Sequence, residues 1–215
     1  FPIVHTLEQR KYIMCDAGSG KYRLGLRTYI IGASCTSQSG FEPLINIMNS
    51  VTESTQETSQ FGILEGGNVL YVAKKDSPQA IRMISWVGTK LPANATAIGK
   101  ALLSDLTDEQ IRDLYRDGLP KLTEHTISDM DLLLGQIEQI RCGEIATETE
   151  ESTPQMRCFA VPIRQNGRVD AALSISVPIF RYTDEKRVQI CQCLREAQQQ
   201  IEQLVGLYNF ELIKP

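Results

Sequence analysis

The 215-residue sequence predicts an α+β fold in which helices pack on an antiparallel sheet. Two hairpin patterns indicate the sheet, because apolar runs flank the turn sequences Glu65-Gly66-Gly67-Asn68 and Gln165-Asn166-Gly167-Arg168. Segments with apolar residues three and four apart, as in amphipathic helices, lie between the strands. This order favours helices on an antiparallel sheet over a doubly wound parallel sheet.

The first 40 residues predict a short helix end, a hairpin and a second helix. Residues 3–7 have helical spacing, and residues 12–15 and 21–24 form two strands around a Gly-containing turn. Residues 25–37 carry apolar side chains at helical spacing and end in a Ser/Thr/Gln run, which predicts a hinge.

The rest of the chain predicts five helices and five strands. The first helix starts at Phe41, a short one covers 96–104, a capping box opens another at Thr107, and Gly143 stops a helix over 129–142. The strands are expected at 61–64, 69–72, 81–87, 159–164 and 169–177. A terminal helix capped by Thr183 is expected to bury one stripe: Val188, Cys191, Leu194, Ala197, Ile201, Leu204 and Tyr208.

Composition and charge exclude several classes of protein. Hydrophobic residues make up 42% and charged residues 22%, which is ordinary for a globular chain and not for a disordered one. No apolar run approaches the ~18 residues that span a membrane, so we expect no membrane partner. Six cysteines without CxxC or Cys/His spacing predict reduced thiols, no metal and a cytoplasmic location.

The net charge of −4 hides an asymmetry between two parts of the chain. Residues 1–40 hold five basic and two acidic residues, whereas residues 41–215 hold 17 basic and 24 acidic ones. A basic head on an acidic body keeps nucleic acid as a candidate partner despite the acidic total.

Three segments in order resemble IclR-type transcriptional regulators. The segment 20–25 resembles the end of a winged-helix wing with the start of a linker helix, 88–103 resembles the family's signature segment, and 157–176 resembles the second half of its effector-binding domain. The resemblance implies a GAF-like antiparallel effector-binding domain over 41–215. It also implies a partial winged helix-turn-helix domain over 1–24, beginning at the end of the recognition helix, and a linker helix over 25–40.

Two positions depart from the family pattern that this resemblance implies. Asn94 stands where His is frequent, which changes the hydrogen bonding expected in the pocket. Gln155, next to Pro154, stands where Gly is usual, in the loop expected to cover the pocket.

Polar and small residues suggest where a ligand would bind. Thr96 as N-cap, with small neighbours, leaves first-turn amides that favour an anion, or else these small side chains only permit close packing. Ser174 and Ser176 share one strand face, which suits either a polar ligand or solvent. The resemblance favours the ligand reading for both features.

Cys158 and the acidic run 147–151 raise the question of catalysis. Cys158 is expected to be a pocket wall and not a nucleophile, because no base can be placed beside it. The resemblance makes Glu148 a hydrogen-bond acceptor for the ligand, while Glu150 and Glu151 are expected in a solvated loop. The full expected effector-binding set is Ala80, Met83, Ala95, Thr96, Ala97, Ile98, Gly99, Glu148, Cys158, Ser174 and Ser176.

The resulting hypothesis is a DNA-binding regulator that responds to a small organic acid, without catalytic activity or a cofactor. Arg10, Lys11, Lys21 and Arg23 surround the first hairpin and are expected to contact DNA phosphates, as a wing does. Palindromic operators imply a homodimer or a dimer of dimers. The alternatives are an enzyme that uses the same pocket and a stand-alone sensor without DNA affinity.

Overall fold

The computed structural model describes residues 2–38, 41–83 and 85–208, apart from the side chains of 33–38 and 206–208. The chain divides into two compact units, Phe1–Leu44 and Ile45–Pro215. Among the described residues, no helix combines the length and the apolar character that crossing a membrane would require.

The N-terminal unit contains two helices around a two-stranded hairpin. Its elements are α1 (Pro2–Gln9), β1 (Ile13–Cys15), β2 (Tyr22–Leu24) and α2 (Leu26–Gln38). The Asp16 carboxylate shapes the turn by accepting hydrogen bonds from the Ser19 amide at 2.8 Å and from the Ser19 hydroxyl at 2.7 Å. Gly25 precedes α2 because a Cβ there would lie 2.2 Å from the Lys11 carbonyl oxygen.

The second unit is built on a six-stranded antiparallel sheet with helices packed on it, which confirms the α+β prediction. The elements in chain order are α3 (Phe41–Thr55), β3 (Thr58–Glu65), β4 (Asn68–Lys75), β5 (Lys90–Pro92), α4 (Ala97–Leu103), α5 (Asp108–Leu114), α6 (Met130–Arg141), β6 (Ala146–Thr149), β7 (Met156–Gln165), β8 (Arg168–Pro178) and α7 (Asp184–Tyr208). The strand order across the sheet is β5-β4-β3-β8-β7-β6.

Helices cover both faces of this sheet. On one face, Ser59 of β3 bonds to the Thr52 hydroxyl at 2.8 Å and to the Met48 carbonyl at 3.3 Å, so α3 packs there. On the other face, Cys158, Ala160 and Ala172 share a buried cluster with apolar residues of α4 and α6. We call this second face, which lies beneath α4, the site face.

The local signals for turns and helix ends are confirmed. Asn166 and Gly167 have φ of 51° and 81°, the left-handed pair that a tight hairpin turn requires. Thr107 opens α5 with a complete capping box, and Asp129 caps α6 through two amides. Gly143 follows α6 with φ of 103°, as a C′ glycine does.

The strand expected over 81–87 is wrong. This part of the chain is irregular around Ile84, which lies outside the described residues, and Ile81 and Trp86 are 63% and 73% exposed. The partner of β4 at this edge is instead the short β5. An apolar, β-branched run has strand propensity, but it forms a strand only where a partner edge is available.

The buried stripe of α7 also differs from the expected one. Leu194, Ala197 and Ile201 are buried as predicted, but Val188 is 66% exposed, and Ile190 and Val205 are buried in addition. The side chain of Tyr208 lies outside the described residues. The observed stripe follows the helical period more closely than the predicted one, which started two residues too early.

Candidate effector-binding site

A row of polar side chains crosses four strands of the site face. Glu148 of β6 pairs with Cys158 of β7, Cys158 pairs with Ser176 of β8, and Ser176 pairs with Thr58 of β3. Residues directly opposite one another project to the same face of a sheet. All four are buried, with exposed fractions of 6% or less.

A second row runs beside the first. Ser174 lies two residues before Ser176 and is paired with Ala160 on one side and Gln60 on the other. The Ser176 hydroxyl lies 3.1 Å from Gln60 Oε1, and Cys158 Sγ lies 3.3 Å from the Ser176 hydroxyl oxygen. The Ser174 hydroxyl reaches the Gln60 carbonyl at 3.5 Å. Both serines are 2% exposed or less, so this strand face is buried and not solvated.

Gln60 links the two rows to the segment 76–89, which connects β4 to β5. The side-chain nitrogen Nε2 of Gln60 donates to the Ser85 hydroxyl at 2.6 Å. Lys74, the cross-strand neighbour of Gln60, donates to the Ser85 carbonyl at 2.8 Å and to the Met83 carbonyl at 3.4 Å. Sequence reasoning missed these three polar residues, although a glutamine inside the apolar pattern of β3 was a usable signal.

Above the sheet, the segment 95–99 begins α4 and is entirely buried. Thr96 caps the helix as predicted, because its hydroxyl accepts from the Gly99 amide at 3.0 Å. That amide is therefore already paired. A Cβ at Gly99 would lie 2.2 Å from the Ala93 carbonyl oxygen, so close packing against the preceding 3-10 turn explains this glycine.

One turn further along α4, a buried ion pair joins Lys100 and Glu151. The ammonium is 0% exposed and lies 2.5 Å from Glu151 Oε1. Backbone amides and hydroxyls of the loop 119–128 also bond to Glu151, as Ile127 N donates to its carboxylate at 3.4 Å and Thr126 donates to its carbonyl at 2.6 Å. The expectation that Glu151 lies in a solvated loop is therefore wrong. No residue pattern around Glu151 indicates that a lysine 51 positions away is its partner.

Glu148 is the second buried carboxylate at this end of the sheet. Its oxygens accept from the Glu151 amide at 2.8 Å and from the Ser152 hydroxyl at 3.2 Å. Burial raises the pKa of Glu148, while hydrogen bonds from the Cys158 thiol and the Glu151 amide oppose this effect.

The surroundings of Cys158 favour the neutral thiol over the thiolate. Burial, together with the neighbouring Glu148 carboxylate, raises the pKa of the Cys158 thiol well above its usual value. The thiolate that nucleophilic chemistry needs is therefore disfavoured.

The two departures from the family pattern are both built into the fold. Asn94 is 0% exposed and donates to the Pro120 carbonyl at 3.0 Å, whereas its side-chain oxygen has no partner among the described residues. Gln155 has φ of 61°, in the left-handed region where glycine is favoured. Its amide and side chain both donate to Glu150 Oε1, at 2.8 and 3.2 Å.

The structure does not bring every expected residue to the site. Met83 is buried and lies on the segment that Lys74 holds, whereas Ala80 of the same segment is exposed. In the N-terminal unit, all four residues expected to contact DNA are exposed around its hairpin: Arg10, Lys11, Lys21 and Arg23.

A concave surface lies on α7, away from the expected residues. It is a groove of about 710 Å³ whose lining includes Ile145, Arg187, Val188 and Arg195. Among the described residues, no group of three or more His, Cys, Asp or Glu could hold a metal ion. The five cysteines whose side chains the structure describes are free thiols.

Comparisons with known proteins agree with this architecture. Residues 41–203 match the family of bacterial transcriptional regulator IclR C-terminal domains. The regulator KdgR of Dickeya chrysanthemi is 29% identical over 98% of this chain and 70% of its own, and the repressor AllR of Escherichia coli is 27% identical over 96% and 78%.

Solved structures share the fold. A putative IclR regulator from Silicibacter superposes with a TM-score of 0.86 at 21% identity, covering 95% of this chain and 82% of that one. An IclR homologue from Microbacterium hydrocarbonoxydans, complexed with 4-hydroxybenzoate, has a TM-score of 0.78 at 22% identity over 94% and 82%. Because the family match spans most of the chain, this protein belongs to the IclR family of bacterial transcriptional regulators.

Proposed function

We propose that this protein regulates transcription by binding a small organic acid on the site face and changing how its N-terminal unit binds DNA. The observation that carries the proposal is the buried polar cluster of Gln60, Cys158, Ser174 and Ser176, which lies beneath α4 on the site face. Buried polar groups in a core are costly and are often retained for binding.

The chemistry of the cluster suits an oxygen-rich ligand. Two hydroxyls and one carboxamide can each donate and accept, so they can bond to hydroxyl, keto or carboxylate oxygens. The 4-hydroxybenzoate bound by the Microbacterium homologue is an acid of this kind, which supports the ligand class. Ser85, which lies on the connection between β4 and β5, borders this cluster, because it bonds to both Gln60 and Lys74.

An enzyme built on the same pocket is the less favoured alternative. Cys158 is a buried thiol with a raised pKa, which opposes nucleophilic attack. His125 could serve as a base, but its side chain is 54% exposed and lies nearest to Glu124 and Glu150. The curated relatives are also named as regulators.

The ligand site is tested by thermal shift with a panel of small carboxylic acids that includes 4-hydroxybenzoate. A ligand of the native state raises the melting temperature, and Ser176→Ala is expected to abolish that rise. Ser59→Ala is the matched control, because Ser59 is equally buried in the same sheet but faces α3. If no acid raises the melting temperature, or if both variants respond like the wild type, the site is misassigned.

The DNA-binding role separates a regulator from a stand-alone sensor. A regulator binds DNA with an affinity that falls steeply with salt, and each lost phosphate contact reduces the slope of log K against log salt by ~0.9. We expect Lys21→Ala and Arg23→Ala to reduce that slope, and Lys75→Ala, in the other unit, to leave it unchanged. A full-length protein with no measurable DNA affinity at low salt would instead be a sensor.

A further inference from the structure

The buried charges beneath α4 do not balance. Lys100 is 0% exposed and is matched by one carboxylate, since its ammonium lies 2.5 Å from Glu151. Glu148 is a further carboxylate, 2% exposed, in the same cluster. With all three groups ionised, the cluster holds one net negative charge out of water, which is costly.

The groups that face Glu148 come from four elements. Among the described residues, the positive charge facing it is Lys100 and the negative charge is the Glu151 carboxylate, while the remaining neighbours are a thiol, a phenol, an amide and a hydroxyl. Burial raises the pKa of Tyr71, so that phenol stays neutral. These neighbours are Lys100 of α4, Cys158 of β7, Tyr71 of β4, and Glu151 and Ser152 of the loop after β6.

Other charged side chains in the region are engaged elsewhere. Lys74, at the far end of the site face, pairs with Asp76 at 2.7 Å. On α6, Arg141 pairs with Asp108 at 2.8 Å near the surface. These cations do not compensate Glu148.

An acidic effector would add another negative charge to this cluster. This inference rests on the proposed function. We infer that the effector carboxylate binds only when Glu148 is protonated, so that the site binds the effector and one proton together. The proton comes from solvent and is bound at the Glu148 carboxyl, which then donates an O–H where the carboxylate only accepted. The total buried charge after binding equals that of the empty, fully ionised site.

The inference has two consequences, one for the charge of the ligand and one for the pH dependence of its affinity. The site favours a monocarboxylate over a dicarboxylate, since the further cation that the described residues place on the site face, Lys74, already pairs with Asp76 at 2.7 Å. The effector affinity also falls as the pH rises, because ionised Glu148 must first be reprotonated. Burial raises the pKa of Glu148, which brings this reprotonation closer to neutral pH.

The inference is tested by calorimetric titration of 4-hydroxybenzoate, with 2-hydroxypropanoate and benzene-1,4-dicarboxylate as comparison acids, between about pH 6 and about pH 8. The wild type is expected to lose up to tenfold in affinity per pH unit. It should also take up one proton, measured in two buffers of different ionisation enthalpy, so this readout needs no variant. The dicarboxylate should bind more weakly than 4-hydroxybenzoate by at least about tenfold.

Two variants test whether Glu148 is the group that binds the proton. Glu148→Gln, a neutral isostere, should bind 4-hydroxybenzoate at every pH with the affinity that the wild type shows at low pH. Glu150→Gln, a partly exposed neighbour, should keep the wild-type pH dependence. A wild-type affinity that is independent of pH, or a Glu148→Gln variant weakened at every pH, overturns the inference and leaves the proposed function standing. Failure of every acid to bind at any pH overturns the proposed function and the inference with it.

Discussion

Loss of the Lys100 ammonium should destabilise the protein far more than loss of a surface lysine. In Lys100→Met the side chain keeps most of its volume, but Glu151 is left buried and uncompensated beside Glu148. Removal of one partner from a buried ion pair costs about 3–5 kcal/mol. The expected loss lies at the upper end of that range, because Glu148 is a second buried carboxylate in the same cluster.

Urea denaturation measures this loss directly, as a change in the free energy of unfolding. Lys90→Met is the matched control: Lys90 pairs with Glu65 at 2.9 Å, but both side chains are more than a third exposed. Such surface pairs contribute about 0–1 kcal/mol. The double variant Lys100→Met/Glu151→Gln should regain most of the loss, since no charge of that pair remains buried. A loss in Lys100→Met no larger than in Lys90→Met would show that the Lys100–Glu151 pair contributes no more than a surface pair.

Two further predictions concern packing and pH. Gly99→Ala should destabilise the protein by about 1–3 kcal/mol or more, because the added Cβ meets the Ala93 carbonyl. Gly135→Ala, in open space on α6, should instead stabilise it by about 1 kcal/mol. Thermal unfolding compares the two variants, and equal effects would contradict close packing at Gly99. Because the folded-state pKa of Glu148 is raised, its stabilising contribution is complete below the unfolded value of 4.5 and is lost as the pH rises through the folded value. The stability of the wild type relative to Glu148→Gln should therefore fall with rising pH above about 4.5, and a constant difference would contradict the raised pKa.

Local sequence patterns predicted much of the fold. The turn at Asn166-Gly167, the capping box at Thr107 and the Gly143 helix stop each depend on a few adjacent residues, so a single sequence is enough to recognise them. The pair Ser174 and Ser176 was also recognisable, because alternation along one strand places both on one face.

The parts of the candidate site that depend on distant partners were missed. Glu151 resembles any residue of an acidic loop until the fold places Lys100 of α4 against it. Gln60 and Lys74 become site residues only because β3 lies between β4 and β8, a strand order that no local pattern determines. The strand expected over 81–87 was wrong for the same reason, since the described residues of this run form no strand.

Methyl NMR with labelled alanines would locate the ligand most directly. With saturating 4-hydroxybenzoate, we expect chemical-shift changes at Ala95 and Ala160, which lie on the N-terminal side of α4 and on the site face. Ala197, buried on α7, should not shift. Changes confined to Ala197, pointing to the α7 side of the sheet, would contradict the assignment of the effector to the site face.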